Sequence, residues 1–218
     1  MKKSAVFDRT FPACGRTWRM RGADMEKLWD EMAEKDGEER LPYWNEIWPS
    51  SLALAGWLME SEDDIRGQKC LDLGCGLGFT ALVGRWLGAE VVGADYEREA
   101  LACAEGNERL NGIEGIRWEL LDWRDAEEHR GRFDRIWASD VMYEREAAKP
   151  LVSFLSTALK KGGRAWIAEP GRSIFLEFIR LLPQHGLHER RLCSLPVFPL
   201  IPQEVPVTVT LWELSFSV

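Results

Sequence analysis

The segment Asp72-Leu73-Gly74-Cys75-Gly76-Leu77-Gly78 sets a carboxylate before three glycines at alternate positions. A turn of that composition lets a ligand approach the backbone closely. Three further acids, Asp95, Asp122 and Asp140, each close a run that reads as a β-strand. Carboxylates at strand ends beside a glycine turn suit a ligand that carries a nucleoside. Asp95 can accept from both ribose hydroxyls, Asp122 can accept from an exocyclic amine, and the indole of Trp123 can cover the face of a base. Tyr96 and Ser139, neighbours of Asp95 and Asp140, join the candidate set. A dinucleotide fingerprint needs G-x-G-x-x-G, and Phe79 stands where its third glycine would be, which argues against NAD. The plain alternatives are an empty tight turn and solvated loop carboxylates. The same placement after four successive strands weighs against them.

Only a parallel sheet brings strand ends like these to one edge. Short β-rich runs at 69–75, 90–95, 115–123, 132–142 and 164–169 alternate with helical periodicity. Phe79, Leu82, Val83, Trp86 and Leu87 form one helical stripe closed by Gly88, and a second helix over 98–110 ends at Asn111-Gly112. Leu151, Phe154, Leu155, Ala158 and Leu159 mark a third helix, stopped by Gly162-Gly163; Ile174, Phe178, Leu181 and Leu182 mark a fourth, stopped near Pro183 or Gly186. Strands at 187–195 and 205–216 follow, separated by a loop at 196–206 that holds four prolines. The expected fold is α/β, a Rossmann-like three-layer sandwich around a seven-stranded, mostly parallel sheet, with an N-terminal helical and aromatic lid. Residues 1–50 form the lid and 51–218 the main domain. In the lid Asp24 caps a helix that turns Met25, Leu28, Trp29 and Met32 inward, and an aromatic-proline stretch occupies 41–49. Ser50 or Ser51 caps the helix through Leu54, Trp57 and Leu58 that leads into the sheet. Trp137 and Trp166 lie inside strands and belong to the core.

A formal charge of −8 over 218 residues has the wrong sign for tracking phosphates, so nucleic acid is an unpromising partner unless Arg9, Arg16, Arg19 and Arg21 form a local patch. Five irregularly spaced cysteines and no CxxC indicate reduced thiols. Cys75 sits between glycines but has no histidine near it in sequence, so it reads as a small filler. With three histidines and no ligand pair at metal spacing, no metal is expected. No apolar run reaches membrane-spanning length and no signal-peptide core follows Met1. A soluble cytoplasmic protein is expected, with no membrane partner; its oligomeric state is not written in the sequence.

The glycine motif and the acid ending the second strand resemble those of class I methyltransferases that use S-adenosylmethionine. Residues 41–50 (LPYWNEIWPS), the DVMY of Asp140 to Tyr143 and the AEPGR of residues 168–172 extend that likeness to the seven-β-strand protein lysine methyltransferases. Within these, the enzymes acting on the electron-transfer-flavoprotein β-subunit are the most similar. The resemblance implies that Gly74, Gly76 and Gly78 pass under the methionine and ribose, Asp72 faces the ligand's ammonium, Asp95 holds the ribose, and Trp48 and Trp123 flank the adenine. It also implies that Asp140 and Tyr143 stand beside the target lysine of a protein substrate. Arg172 is expected to cap a helix or pair with Glu169. A small-molecule N-methyltransferase and a cofactor-binding partner protein without transferase activity are the alternatives; a base-methylating enzyme ranks below them, because the fourth strand does not end in N/D-P-P-Y.

Overall fold

The computed structural model describes residues 6–24, 42–143, 145–201 and 203–217. Strands β1 (Val6–Ala13) and β2 (Arg16–Asp24) form a separate hairpin. Helices α1 (Pro49–Glu60) and α2 (Glu62–Ile65) then lead to β3 (Lys69–Leu73), α3 (Phe79–Trp86), β4 (Glu90–Asp95), α4 (Arg98–Leu110) and β5 (Arg117–Leu120). After β6 (Phe133–Ser139) come α5 (Ala148–Ala158), β7 (Leu159–Glu169), α6 (Phe175–Leu181), β8 (Leu187–Val197) and β9 (Val207–Phe216).

The main sheet has seven strands in the order β5-β4-β3-β6-β7-β9-β8. All neighbours are parallel except β9, which runs antiparallel to both β7 and β8. The chain winds outward from β3 to β5 and then returns to place β6 on the other side of β3. The crevice above the carboxyl ends of β3 and β6 is therefore the topological switch point, where α/β sheets bind ligands.

Alternation along the inner strands buries both faces of the sheet. Cys70, Trp137, Trp166 and Ala168 face the layer built from α1 and α3, whereas Leu71, Leu73, Ile136, Ala138, Ala165 and Ile167 face α5 and α6. Trp137 and Trp166 are fully buried, as their place inside strands predicts. The ring of Trp166 meets that of Trp57 on α1 edge to face, with centroids 6.1 Å apart.

Four expectations change. Helix α5 ends at Ala158, earlier than Gly162-Gly163, because Leu159 is already extended and pairs with Phe133; both glycines lie inside β7. The edge strand β5 covers only four residues, so Asp122 and Trp123 lie in the loop beyond it. Neither Ser50 nor Ser51 caps α1: Trp48 is the N-cap and Pro49 takes the first turn, where its missing N–H costs nothing. The chain before Asp24 is a hairpin, not an undivided lid. Cys14 and Gly15, both at positive φ, make its turn. Its inner face carries Phe11 and Trp18 onto Phe79 of α3, with centroids 5.4 and 5.6 Å away. The helix expected around Met25, Leu28, Trp29 and Met32 lies outside the described residues.

Candidate active site

The loops after β3, β4, β5 and β6 enclose a groove with two lobes. One is lined by Asp95, Tyr96, Asp122, Trp123, Arg124 and Tyr143; the other by Tyr43, Trp44, Glu46, Trp48, Ser51, Ser139, Asp140 and Tyr143. Gly74, Asp95, Tyr96, Trp123 and Tyr143 belong to both and form the passage between them.

The glycine turn forms the floor. Gly76 has φ 51°, and a Cβ there would come 3.0 Å from the carbonyl oxygen of Trp44, so the aromatic segment rests directly on the turn. Gly78 has another reason to be glycine. A Cβ at this position would meet Trp118 at 2.8 Å and Ala104 at 2.9 Å, and Gly78 lines neither lobe. It seats α3 against α4 and β5, a packing reason for glycine that stands apart from the ligand contact the resemblance implies.

Asp95 ends β4 with 6% exposure. One of its oxygens accepts the Gly76 N–H at 2.9 Å and the other accepts the Glu97 N–H at 3.0 Å. Burial pushes its carboxyl up to about 6, against those two hydrogen bonds, which favour the charged form. Asp72 lies elsewhere. Its side chain is buried behind the turn, where it accepts from the Thr80 hydroxyl at 2.7 Å, and it lines neither lobe. Burial pushes it up to about 7, and its bond to the first turn of α3 is a structural tie, so direct contact with a ligand ammonium is not what its placement provides.

Three asparagines tie the hairpin to this floor. Asn111, Asn107 and Asn45 accept the N–H groups of Arg19, Arg21 and Ala23 at 3.0, 2.8 and 2.8 Å, and each returns a side-chain N–H to the carbonyl of the same residue. Carboxamides thus occupy the edge of β2 where another strand would pair. Asn107, 1% exposed, also donates to the carbonyl of Leu77 in the glycine turn, at 3.0 Å.

The second lobe is a slot with aromatic walls. Tyr43 and Tyr143 have ring centroids 4.9 Å apart, and Trp48 is 6.2 Å from Tyr43. The indole N–H of Trp48 donates to the Tyr43 carbonyl at 2.9 Å, which fixes the ring. Trp48 stands with Ser51, Ser139 and Asp140, and Trp123 lines the same lobe from the passage, whereas Asp122 lines only the other lobe. Ser139 shares a 3.1 Å hydrogen bond with Ser51. Asp140 holds a left-handed backbone at φ 53°, and its carboxylate, 5% exposed, receives Arg172 through both oxygens, at 2.5 and 3.0 Å. That pairing corrects the expected Arg172–Glu169 contact: Glu169 accepts instead the backbone N–H groups of Gly171 and Arg172, at 2.6 and 3.1 Å. Asp122 is held by the guanidinium of Arg124. The slot also contains Glu46, a residue of the aromatic-proline stretch whose local sequence carries no signal of a site. The Cys75 thiol is buried and pushed well above its usual range, which removes it as a nucleophile. Among the described residues no cluster of metal-ligating side chains occurs, and no helix is long and apolar enough to cross a membrane.

A family model described as a methyltransferase domain matches residues 65–190. The electron transfer flavoprotein beta subunit lysine methyltransferase of Rattus norvegicus is 31% identical over 157 residues, covering 71% of this chain and 60% of that protein. The histidine protein methyltransferase 1 homolog of Dictyostelium discoideum is 28% identical over 127 residues, 56% of this chain and 41% of that protein. The chain spans 60% or less of the length of these curated relatives. Among solved structures, the 16S rRNA N2 G1207 methyltransferase of T. thermophilus has the same fold, with a TM-score of 0.68 at 19% identity over 96% of this chain and 50% of that one.

Proposed function

We propose, for a chain that belongs to the methyltransferase domain family, that the acceptor is the side-chain amine of a lysine on another protein. The donor is S-adenosylmethionine, which when bound supplies a methyl group already activated on a sulfonium. The residues present fit that donor: Gly74 and Gly76, both at positive φ, line the groove, and a carboxylate stands beside them at the end of β4. In this reading Asp95 accepts the ribose hydroxyls, Asp122 and Trp123 hold the base, and Gly74 and Gly76 let the ligand lie against the backbone.

The observation that carries the acceptor class is the slot. Rings of Tyr43, Trp48 and Tyr143 around carboxylates suit an aliphatic stem with a cationic head, which the ring faces and the charges both attract. Transfer needs the neutral amine, and removing a proton from an ordinary lysine at pH 7 costs about 4 to 5 kcal/mol. Apolar walls and a neighbouring sulfonium both lower that cost. Asp140 and Tyr143 then serve to orient the amine, with Arg172 fixing the Asp140 carboxylate. The kinship with protein methyltransferases supports the same choice.

Incubation with radiolabelled S-adenosylmethionine and cell extract, followed by gel separation and peptide mass spectrometry, tests this reading. A discrete band labelled on lysine is expected. Label found only in small molecules, or on another side chain, would overturn it, and donor binding with no transfer would point to a silent binding protein.

A further inference from the structure

The carboxylates that line the slot are not equally occupied. Asp140 has both oxygens on Arg172, and Asp95 has its two on backbone N–H groups of the glycine turn and of Glu97. Glu46 accepts the N–H of Ile47 at 3.3 Å, and among the described residues it takes part in no side-chain hydrogen bond or ion pair. Its backbone is fixed from both sides. Asn45 is locked to Ala23 by two hydrogen bonds of 2.8 and 3.1 Å, and Ile47 is 3% exposed in the core. Glu46 itself is extended, which turns its side chain away from these two buried neighbours and into the slot with Tyr43, Trp48 and Tyr143.

We infer that Glu46 is the carboxylate that receives the acceptor ammonium and takes its proton. The inference rests on the lysine reading above and adds to it a group for the step that Asp140 is badly placed to perform. A carboxylate whose two oxygens already accept from a guanidinium offers little to a second cation, whereas one that among the described residues accepts only a backbone N–H has oxygen lone pairs to give. Burial also raises the Glu46 carboxyl above its usual range, opposed by the Ile47 N–H and by the positive charge of Arg9 on the hairpin, and this makes it a better proton acceptor than an exposed glutamate. The step balances. The ammonium proton passes to a Glu46 oxygen, the freed nitrogen lone pair forms the N–CH3 bond, and the S–CH3 bond breaks with its electron pair staying on sulfur, which becomes a neutral thioether.

Glu46→Gln and Glu46→Asp, prepared in the full chain, test the assignment against the lysine-labelled protein from the extract experiment. Binding of S-adenosylhomocysteine by calorimetry serves as the check that each variant is folded with an intact donor site. Glu46→Gln should bind S-adenosylhomocysteine within about threefold of wild type and lose at least about 100-fold in turnover at saturating donor, while Glu46→Asp retains more activity than Glu46→Gln. Lysine labelling by Glu46→Gln at close to the wild-type rate would overturn the role of Glu46 and leave the lysine reading intact. A deficit that saturating donor restores would move Glu46 to the donor site and overturn it equally. Wild-type label on a side chain other than lysine would remove the lysine reading and this inference together.

Discussion

If Asp95 holds the ribose of the donor, as proposed, donor binding should depend on pH at values where an ordinary aspartate is indifferent. Its carboxyl, normally near 3.8, is pushed up to about 6 by burial at the end of β4. Only the carboxylate can accept from both ribose hydroxyls while it also accepts the Gly76 and Glu97 N–H groups. If binding needs the charged form, the apparent dissociation constant scales with one plus the ratio of protonated to charged Asp95. That factor is close to 1 at pH 7.5 and about 11 at pH 5, so affinity should fall about tenfold, where an aspartate at its usual value would change it by less than about 10%. The stability of the ligand-free protein should respond in the opposite sense. A carboxyl whose pKa is raised on folding contributes stability that is complete below the unfolded value and lost as pH rises through the folded one. Asp95 alone then favours the fold at pH 5 over pH 7 by about 1 kcal/mol. Asp72, pushed up to about 7, adds in the same direction. Titration calorimetry with S-adenosylhomocysteine at fixed ionic strength from pH 7.5 to 5 measures the affinity. Asp95→Ala is the control, expected to bind about 10- to 150-fold more weakly at pH 7.5 and to lose the pH slope. A wild-type affinity flat down to pH 5, or the same slope in Asp95→Ala, would refute the reasoning.

Four more outcomes follow from the geometry. Arg172→Ala leaves the Asp140 carboxylate, 5% exposed, without its partner and should cost about 2 kcal/mol by thermal or urea unfolding, less than a fully buried pair because Arg172 is 38% exposed. Asn107→Ala breaks the bonds to Arg21 and Leu77 and should both lower stability by about 2 to 4 kcal/mol and weaken S-adenosylhomocysteine binding. Asn111→Ala, which loosens the same hairpin without touching the glycine turn, should lower stability and leave that binding within about twofold, as calorimetry on both variants would show. Tyr143→Phe and Asp140→Asn should depress turnover strongly while S-adenosylhomocysteine affinity stays within a few fold, the pattern of interactions made with the acceptor; retained turnover with lost affinity would place them on the donor side.

The inner strands were legible in the sequence because strands buried on both faces are continuous apolar runs bounded by glycine and acidic turns, and the periodicity of 79–87 and 98–110 admits only helix. The same local logic gave the glycine turn and the acids at strand ends, since a parallel sheet carries every such end to one edge. The hairpin leaves a local trace, Trp18 and Met20 alternating with Arg19 and Arg21 after Gly15, but a lid spanning residues 1–50 does not use it. Helix ends were less legible: Gly162-Gly163 has the composition of a stop signal, and only the pairing of Leu159 with Phe133 shows that the strand has already begun. What the sequence could not decide is which partner each polar side chain takes. Asp72 and Asp95 stand alike beside glycines in the sequence, yet one turns behind the turn to Thr80 and the other faces the groove. Arg172 lies three residues from Glu169 and 32 from Asp140, and it pairs with the distant acid because the chain after β7 folds back over the end of β6. That same fold occupies Asp140 and leaves Glu46 uncommitted. Strand and helix are set by neighbours along the chain, whereas the state of a charge is set by whatever the tertiary fold brings within hydrogen-bonding reach.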